Sequence, residues 1–157
     1  MNSYILFALV FDGRYHSVIW HLNDFYVPLK PIVQRLGLKW ERQAKKVRNG
    51  AYGFHWCIVF DNRLDGSGNE TLCIHLPDLE AYLKSIELNS VPQRMQDRLA
   101  KYQYECAKTM IRALNSPNLD GIEAIMTSMD YTLFRDVAVQ QHWNAEAMRK
   151  LGVCIGG

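Results

Sequence analysis

Residues 3–28 read SYILFALVFDGRYHSVIWHLNDFYVP, and this stretch decides the fold class. Ser3 to Phe11 is crowded with β-branched and aromatic residues and stops at Asp12-Gly13, a dipeptide that adopts the positive φ values of a tight hairpin turn at little cost. Beyond it, Val18, Trp20 and Leu22 alternate with Ser17, Ile19 and His21, the two-residue period of a strand with one buried face. Asn23-Asp24 is expected to turn the chain once more, into Phe25-Tyr26-Val27. The reading is a three-stranded antiparallel meander.

Working outward, Pro28 and Pro31 suit the first turn of a helix, where a missing amide proton costs nothing. Ile32, Val33 and Leu36 give that helix an apolar face and Gly37 closes it as a left-handed cap. Lys39 to Arg48 reads as a second helix, with Trp40, Ala44 and Val47 on one side and cations on the other. Phe54–Phe60 and Glu70–Leu76 follow as two more strands around the loop 61–69, and Pro77-Asp78 opens a helix that runs through Ile86. After Ser90-Val91-Pro92, the residues Met95, Leu99, Tyr102, Cys106, Met110 and Ala113 recur at spacings of three and four, the strongest helical signal in the chain.

Asn115-Ser116-Pro117-Asn118 marks a boundary. Past it, Asp120 and Glu123 resemble a capping box, and Ile122, Ile125, Met126, Met129, Leu133, Phe134 and Val137 form an apolar stripe expected on a helical tail. The expected fold is α+β: an antiparallel sheet of about five strands with packed helices, a long helix and a C-terminal helical tail. Residues 1–115 form the main domain and 116–157 the tail.

Three blocks in this order resemble the amino-terminal domain of phage antirepressor (Ant) proteins over roughly residues 14–115. They are the hairpin leading into Tyr26-Val27-Pro28-Leu29-Lys30-Pro31-Ile32, then Leu36-Gly37-Leu38-Lys39-Trp40 with Gln43, then Leu76-Pro77 through Ile86 followed by Val91-Pro92 and Tyr102-Gln103-Tyr104-Glu105-Cys106. The final pentapeptide is the most specific. Tyr82-Leu83 stands where the family usually has Trp-Leu, and residues 116–157 stand where it usually has a second domain. The resemblance implies a phage or prophage origin and binding to a phage or host regulator.

Charge supplies an independent lead. Lys30, Arg35, Lys39, Arg42, Lys45, Lys46 and Arg48 face one acid, Glu41, which gives this segment +6 and leaves −4 for the rest of a chain of net charge +2. Such a surface attracts phosphates, and two short helices around Gly37 have the outline of a helix-turn-helix. Few Asn or Gln residues accompany the cations, which argues against base-specific readout. A protein that blocked a repressor by imitating DNA would be acidic here, so an antirepressor of this sequence should use another contact.

Other classes find less support. No apolar run approaches the roughly 20 residues of a membrane span, and Ser3–Phe11 lacks the basic leader of a signal peptide. The widely spread Cys57, Cys73, Cys106 and Cys154 suit reduced thiols in a host bacterial cytoplasm. Pairing Cys57 with Cys73 across the last two strands sets His55 opposite His75. That inventory suits zinc, but cross-strand ligands about 5 Å apart spread too widely for a tight tetrahedron, so no metal or cofactor is expected. No phosphate-binding loop, nucleophile elbow or His-Glu-x-x-His motif is present, and no catalysis is expected.

The leading expectation is an interaction protein that inactivates a repressor or comparable regulator stoichiometrically, as a dimer or tetramer joined through the stripe Ile122–Val137. A DNA-binding regulator using helices 30–48 is the second reading. An antidefence protein that binds a host nuclease or helicase is the third.

Overall fold

The computed structural model describes residues 4–60, 70–116 and 122–127. Six strands form one antiparallel sheet in the order β4-β5-β3-β2-β1-β6. In chain order these are β1 (Ile5–Phe11), β2 (Arg14–His21), β3 (Asp24–Pro28), β4 (Trp56–Val59), β5 (Thr71–His75) and β6 (Ile122–Thr127). The helices are α1 (Lys30–Arg35), α2 (Trp40–Arg48), α3 (Leu76–Lys84), α4 (Gln96–Lys101) and α5 (Ala107–Asn115). No helix among the described residues is long and apolar enough to cross a membrane.

The meander forms as expected, with one shift. Asp12 and Gly13 take φ of 53° and 72° in the first turn. The second turn is Leu22-Asn23, at φ 55° and 61°, one residue before the expected Asn23-Asp24. His21 pairs with Asp24 across this two-residue loop, so Asp24 becomes a strand residue and Leu22 is left 70% exposed in a left-handed conformation that suits it poorly. The expected one-sided alternation in β2 is also incomplete. Val18 and Trp20 enter the main core under the helices. Ile19 joins Tyr4, Leu6, Val59 and Cys73 in a second buried cluster.

Asp120 lies outside the described residues, but the helix expected to follow it is overturned over Ile122–Thr127. Ile122–Thr127 is a strand that pairs antiparallel with β1, from Ile5↔Thr127 to Leu9↔Ile122, with a bulge at Ala8/Leu9. The outer edge of β1 presents a row of backbone donors and acceptors flanked by buried Ile5, Leu6 and Phe7. A partner strand satisfies those groups, and that requirement outweighs the local helical spacing. Ile122 packs against the main core. Met129, Leu133, Phe134 and Val137 lie outside the described residues.

The long helix carries one irregularity that organises the core. Between α4 and α5, Tyr102–Cys106 is a π-helical turn, and φ and ψ stay helical through both joints. Most of its buried residues fall in two rows of four-residue steps, Tyr102, Cys106, Met110, Leu114 and Leu99, Gln103, Ala107, Ile111, with Ala113 outside them. Each such step overshoots an α-helical turn by about 40°, so a regular helix would carry the stripe away from the sheet. The wider π turn recovers part of that drift.

The same turn places two polar groups in the interior. Gln103 Nε2 donates to the carbonyls of Leu83 and Ile86, both at 2.9 Å, which satisfies the end of α3. Tyr102 hydroxyl meets His16 Nε2 at 2.9 Å and packs edge-on against Phe11. Removing one partner from a buried pair costs about 1–3 kcal/mol. Tyr102→Phe, which strands His16 with almost no change in volume, is expected to lower the stability of the full chain by that amount in urea unfolding. A loss under about 0.5 kcal/mol would show that the pair carries no weight.

Candidate functional site

Helix α2 is amphipathic because Gln43, Ala44 and Val47 turn inward while Lys39, Glu41, Arg42, Lys45 and Arg48 stay exposed. It begins after Lys39, which is extended, and ends at Asn49, whose side chain accepts the Ala51 amide and starts a 3-10 turn over Gly50–Tyr52. Gly53, at φ 73°, then redirects the chain into β4. This sequence of turns brings exposed aromatic rings beside the cations. Tyr52 stacks on Phe54 at 5.8 Å, and the Arg48 guanidinium sits 5.9 Å over the Trp56 ring. Lys30 lies 5.9 Å over Trp40, and Lys39, Trp40, Arg42 and Lys45 border one shallow groove.

The seven cations expected to act together are therefore divided. Lys39, Arg42, Lys45 and Arg48 share one exposed face, with Lys30 at Trp40. Lys46 is half-buried, donates to the Ser85 carbonyl at 3.2 Å and lies over both Tyr52 and Tyr82. Burial, then the charge of Arg42, pulls its pKa down. It serves to fasten α2 to α3. Tyr82 hydroxyl completes that joint by donating to Gln43 Oε1 at 2.7 Å.

Arg35 points elsewhere. It pairs with the Asp12 carboxylate at 3.2 Å, where Arg98 and Lys101 also arrive at 3.3 Å. Burial opposes ionisation of Asp12, but its hydrogen bond and charge contact with Lys101 and the charges of Arg35 and Arg98 hold its pKa below the ordinary value. Beside this hub opens a cleft of about 470 Å³ lined by Arg14, Tyr15, His16, Gln34, Arg35 and Arg98, among others.

On the second face of the sheet the expected cross-strand pairing appears. Cys57 faces Cys73, and the His75 amide donates to the His55 carbonyl at 2.9 Å. Two carboxylates that sequence reasoning passed over complete the group. Asp24 bonds His75 Nε2. Asp78 Oδ2 meets both the His55 amide and His55 Nδ1 at 2.9 Å. Burial lowers the His75 pKa, but the hydrogen bond with Asp24 and the charges of Asp24 and Asp78 dominate and raise it to about 9. Asp78 was legible only as a helix-opening residue after Pro77, and Asp24 only as a turn residue. Tyr52 and Trp56 were missed on the cationic face, although three exposed aromatic or glycine positions directly after a basic helix were the available signal.

Residues 8–117 match the P22_AR N-terminal domain. The chain belongs to this family, the amino-terminal domain of phage antirepressors. The match ends just past α5, close to the expected boundary. No curated protein and no solved structure matches the chain. Two of the three blocks that carried the resemblance to antirepressors supply buried hydrogen bonds of this P22_AR-type domain: Gln43 from the second, and Tyr82, Tyr102 and Gln103 from the third.

Burial first, then repulsion from Arg35, depresses the His16 pKa to about 4, against the opposing pull of Asp12 and a hydrogen bond to the Phe11 carbonyl. The unfolded chain takes up this proton near pH 6.5. Stability from neutral His16 is present above that value and is lost as pH falls toward about 4. Between about pH 6.5 and 5 the native protein is expected to lose about 2 kcal/mol more than a His16→Gln variant in parallel urea titrations. Equal losses would place the titration elsewhere.

Proposed function

We propose that this antirepressor-family chain inactivates a phage repressor, or a comparable host regulator, by stoichiometric binding through the face formed by α2, the Gly50–Tyr52 turn and β4. The observation that carries this reading is the exposure of aromatic rings that touch cations: Tyr52, 51% exposed, lies under Lys46, and Trp56, 41% exposed, lies under Arg48. Aromatic residues and arginine are enriched where interfaces gain their energy, because the rings bury a large area at modest entropic cost and the guanidinium adds directed, charge-assisted hydrogen bonds. The net positive sign directs the face to an acidic patch of the regulator. A repressor's DNA-binding surface is itself basic, so capture occurs away from it, through the body or assembly surface of the regulator. No covalent step is required, only binding that removes the repressor from its operator. The apolar positions beyond β6, Met129, Leu133, Phe134 and Val137, are proposed to join copies of the chain, so that one assembly engages more than one regulator subunit.

A second reading has specific support from the same face. Cations interleaved with exposed rings also suit nucleic acid, whose phosphates and bases would meet Arg42, Lys45 and Tyr52. Salt separates the two, because phosphate contacts weaken steeply and log-linearly with ionic strength.

In a lysogen carrying a reporter under repressor control, expression of the native chain is expected to derepress the reporter. Arg42→Glu with Lys45→Glu and Arg48→Glu, and separately Trp56→Ala, should each lower derepression at least about 10-fold at equal protein level, since hot-spot losses of 2 kcal/mol or more are typical of such anchors. Full derepression by both variants would remove this face from the function. Retained derepression by Trp56→Ala alone, with DNA binding lost in the charge-reversed variant, would favour nucleic acid.

A further inference from the structure

The second face of the sheet carries a group of side chains that the capture surface does not use. His55, His75 and Asp78 each offer one ligand atom, and these atoms lie within 4.8 Å of one another. His75 Nδ1 stands 3.6 Å from Asp78 Oδ2, and His55 Nδ1 is 2.9 Å from the same oxygen. A zinc ion with ligands at about 2.0–2.2 Å needs neighbouring ligand atoms about 3.4 Å apart. The observed separations bracket that value, and the His55 side chain, 70% exposed, can close the remaining gap by rotating. His75 and Asp78 are held more firmly, at 16% and 6% exposure.

Two details separate this arrangement from an ordinary hydrogen-bonded histidine pair. His75 Nδ1 is buried and reaches no acceptor at hydrogen-bond distance, with Asp78 Oδ2 standing 3.6 Å away, although buried polar groups are almost always hydrogen-bonded. Its other nitrogen is already held by Asp24. A carboxylate on the far nitrogen is the usual outer support of a metal-bound imidazole, because it fixes the tautomer and aims the lone pair. The His55 amide holds Asp78 Oδ2 in place in the same way.

We propose that His55, His75 and Asp78 bind a single divalent transition-metal ion of the zinc class, with Asp24 as the positioning residue that orients His75. Two imidazoles and a carboxylate are borderline ligands suited to zinc, cobalt or nickel and poorly suited to magnesium or calcium. Three protein ligands leave a fourth position toward solvent on the His55 side, as in sites that accept water or an outside ligand. The cross-strand tetrad His55, Cys57, Cys73 and His75 is not the ligand set, because among the described residues the ligand atoms that converge are those of His55, His75 and Asp78.

The test uses the full chain with any affinity tag removed, Zn²⁺ in competition with a chromophoric chelator, and Co²⁺ as a spectroscopic probe. One Zn²⁺ per chain is expected, together with a cobalt spectrum lacking an intense thiolate charge-transfer band. His55→Ala should abolish stoichiometric binding while the metal-free chain stays folded, since the backbone amide at position 55 still holds Asp78 Oδ2. Asp24→Asn should weaken binding about 10–100-fold. Absence of stoichiometric binding, binding that survives His55→Ala, or a strong thiolate band would each overturn the assignment. Unchanged affinity in a folded Asp24→Asn chain would remove the positioning role.

Discussion

The π turn at Tyr102–Cys106 is the constraint on which the rest of the molecule depends. It delivers two adjacent polar side chains to the interior, and each closes a different joint. Gln103 fastens the long helix to the end of α3. Tyr102 fastens it to His16 on the sheet. From α3 the chain of contacts continues through Tyr82 to Gln43 on α2, and Lys46 adds a second tie to Ser85. These are directional bonds inside an apolar core, where an unmet partner is expensive. They fix the angle at which α2 is held, and hence the angle at which its outer cations and the following aromatics meet solvent.

Much of this was legible in the sequence because local and tertiary preferences agree there. The meander follows from alternating β-branched residues and Asp12-Gly13, α1 from its proline start and Gly37 end, and α2 from the contrast between Ala44, Val47 and the outward cations. The misses share a cause. At Ile122–Thr127, helical spacing gave way to the backbone needs of the open β1 edge, which no local pattern reports. Leu22 was read into the strand because its side chain is apolar, whereas the register of His21 against Asp24 forces it into the turn. The π turn is invisible to a count of three- and four-residue spacings, although its consequence, the buried Gln103, stands in the most specific motif of the family.

Candidate sites were less legible because they join residues far apart in the chain. The basic segment was found from charge alone, but charge does not say that Arg35 is turned to Asp12 or that Lys46 is packed over Tyr82. The cross-strand pairing of Cys57 with Cys73 and of His55 with His75 was correctly expected from strand alternation. The carboxylates that alter its chemistry come from a turn and from the first turn of a helix, and only the folded sheet brings them to His75. Burial also separates the thiols: it raises the pKa of Cys106, whereas Cys57 is lowered, first by the hydrogen bond from Cys73, against burial, with the charge of His75 adding.

The central functional claim is that one face, α2 through β4, meets the regulator. Hydrogen exchange of the full chain, alone and with a saturating amount of the repressor that it displaces, tests this directly. New protection is predicted across residues 39–56, with the Arg14–Arg35–Arg98 cleft unchanged. Protection confined to that cleft, with residues 39–56 exchanging as in the isolated chain, would contradict the account.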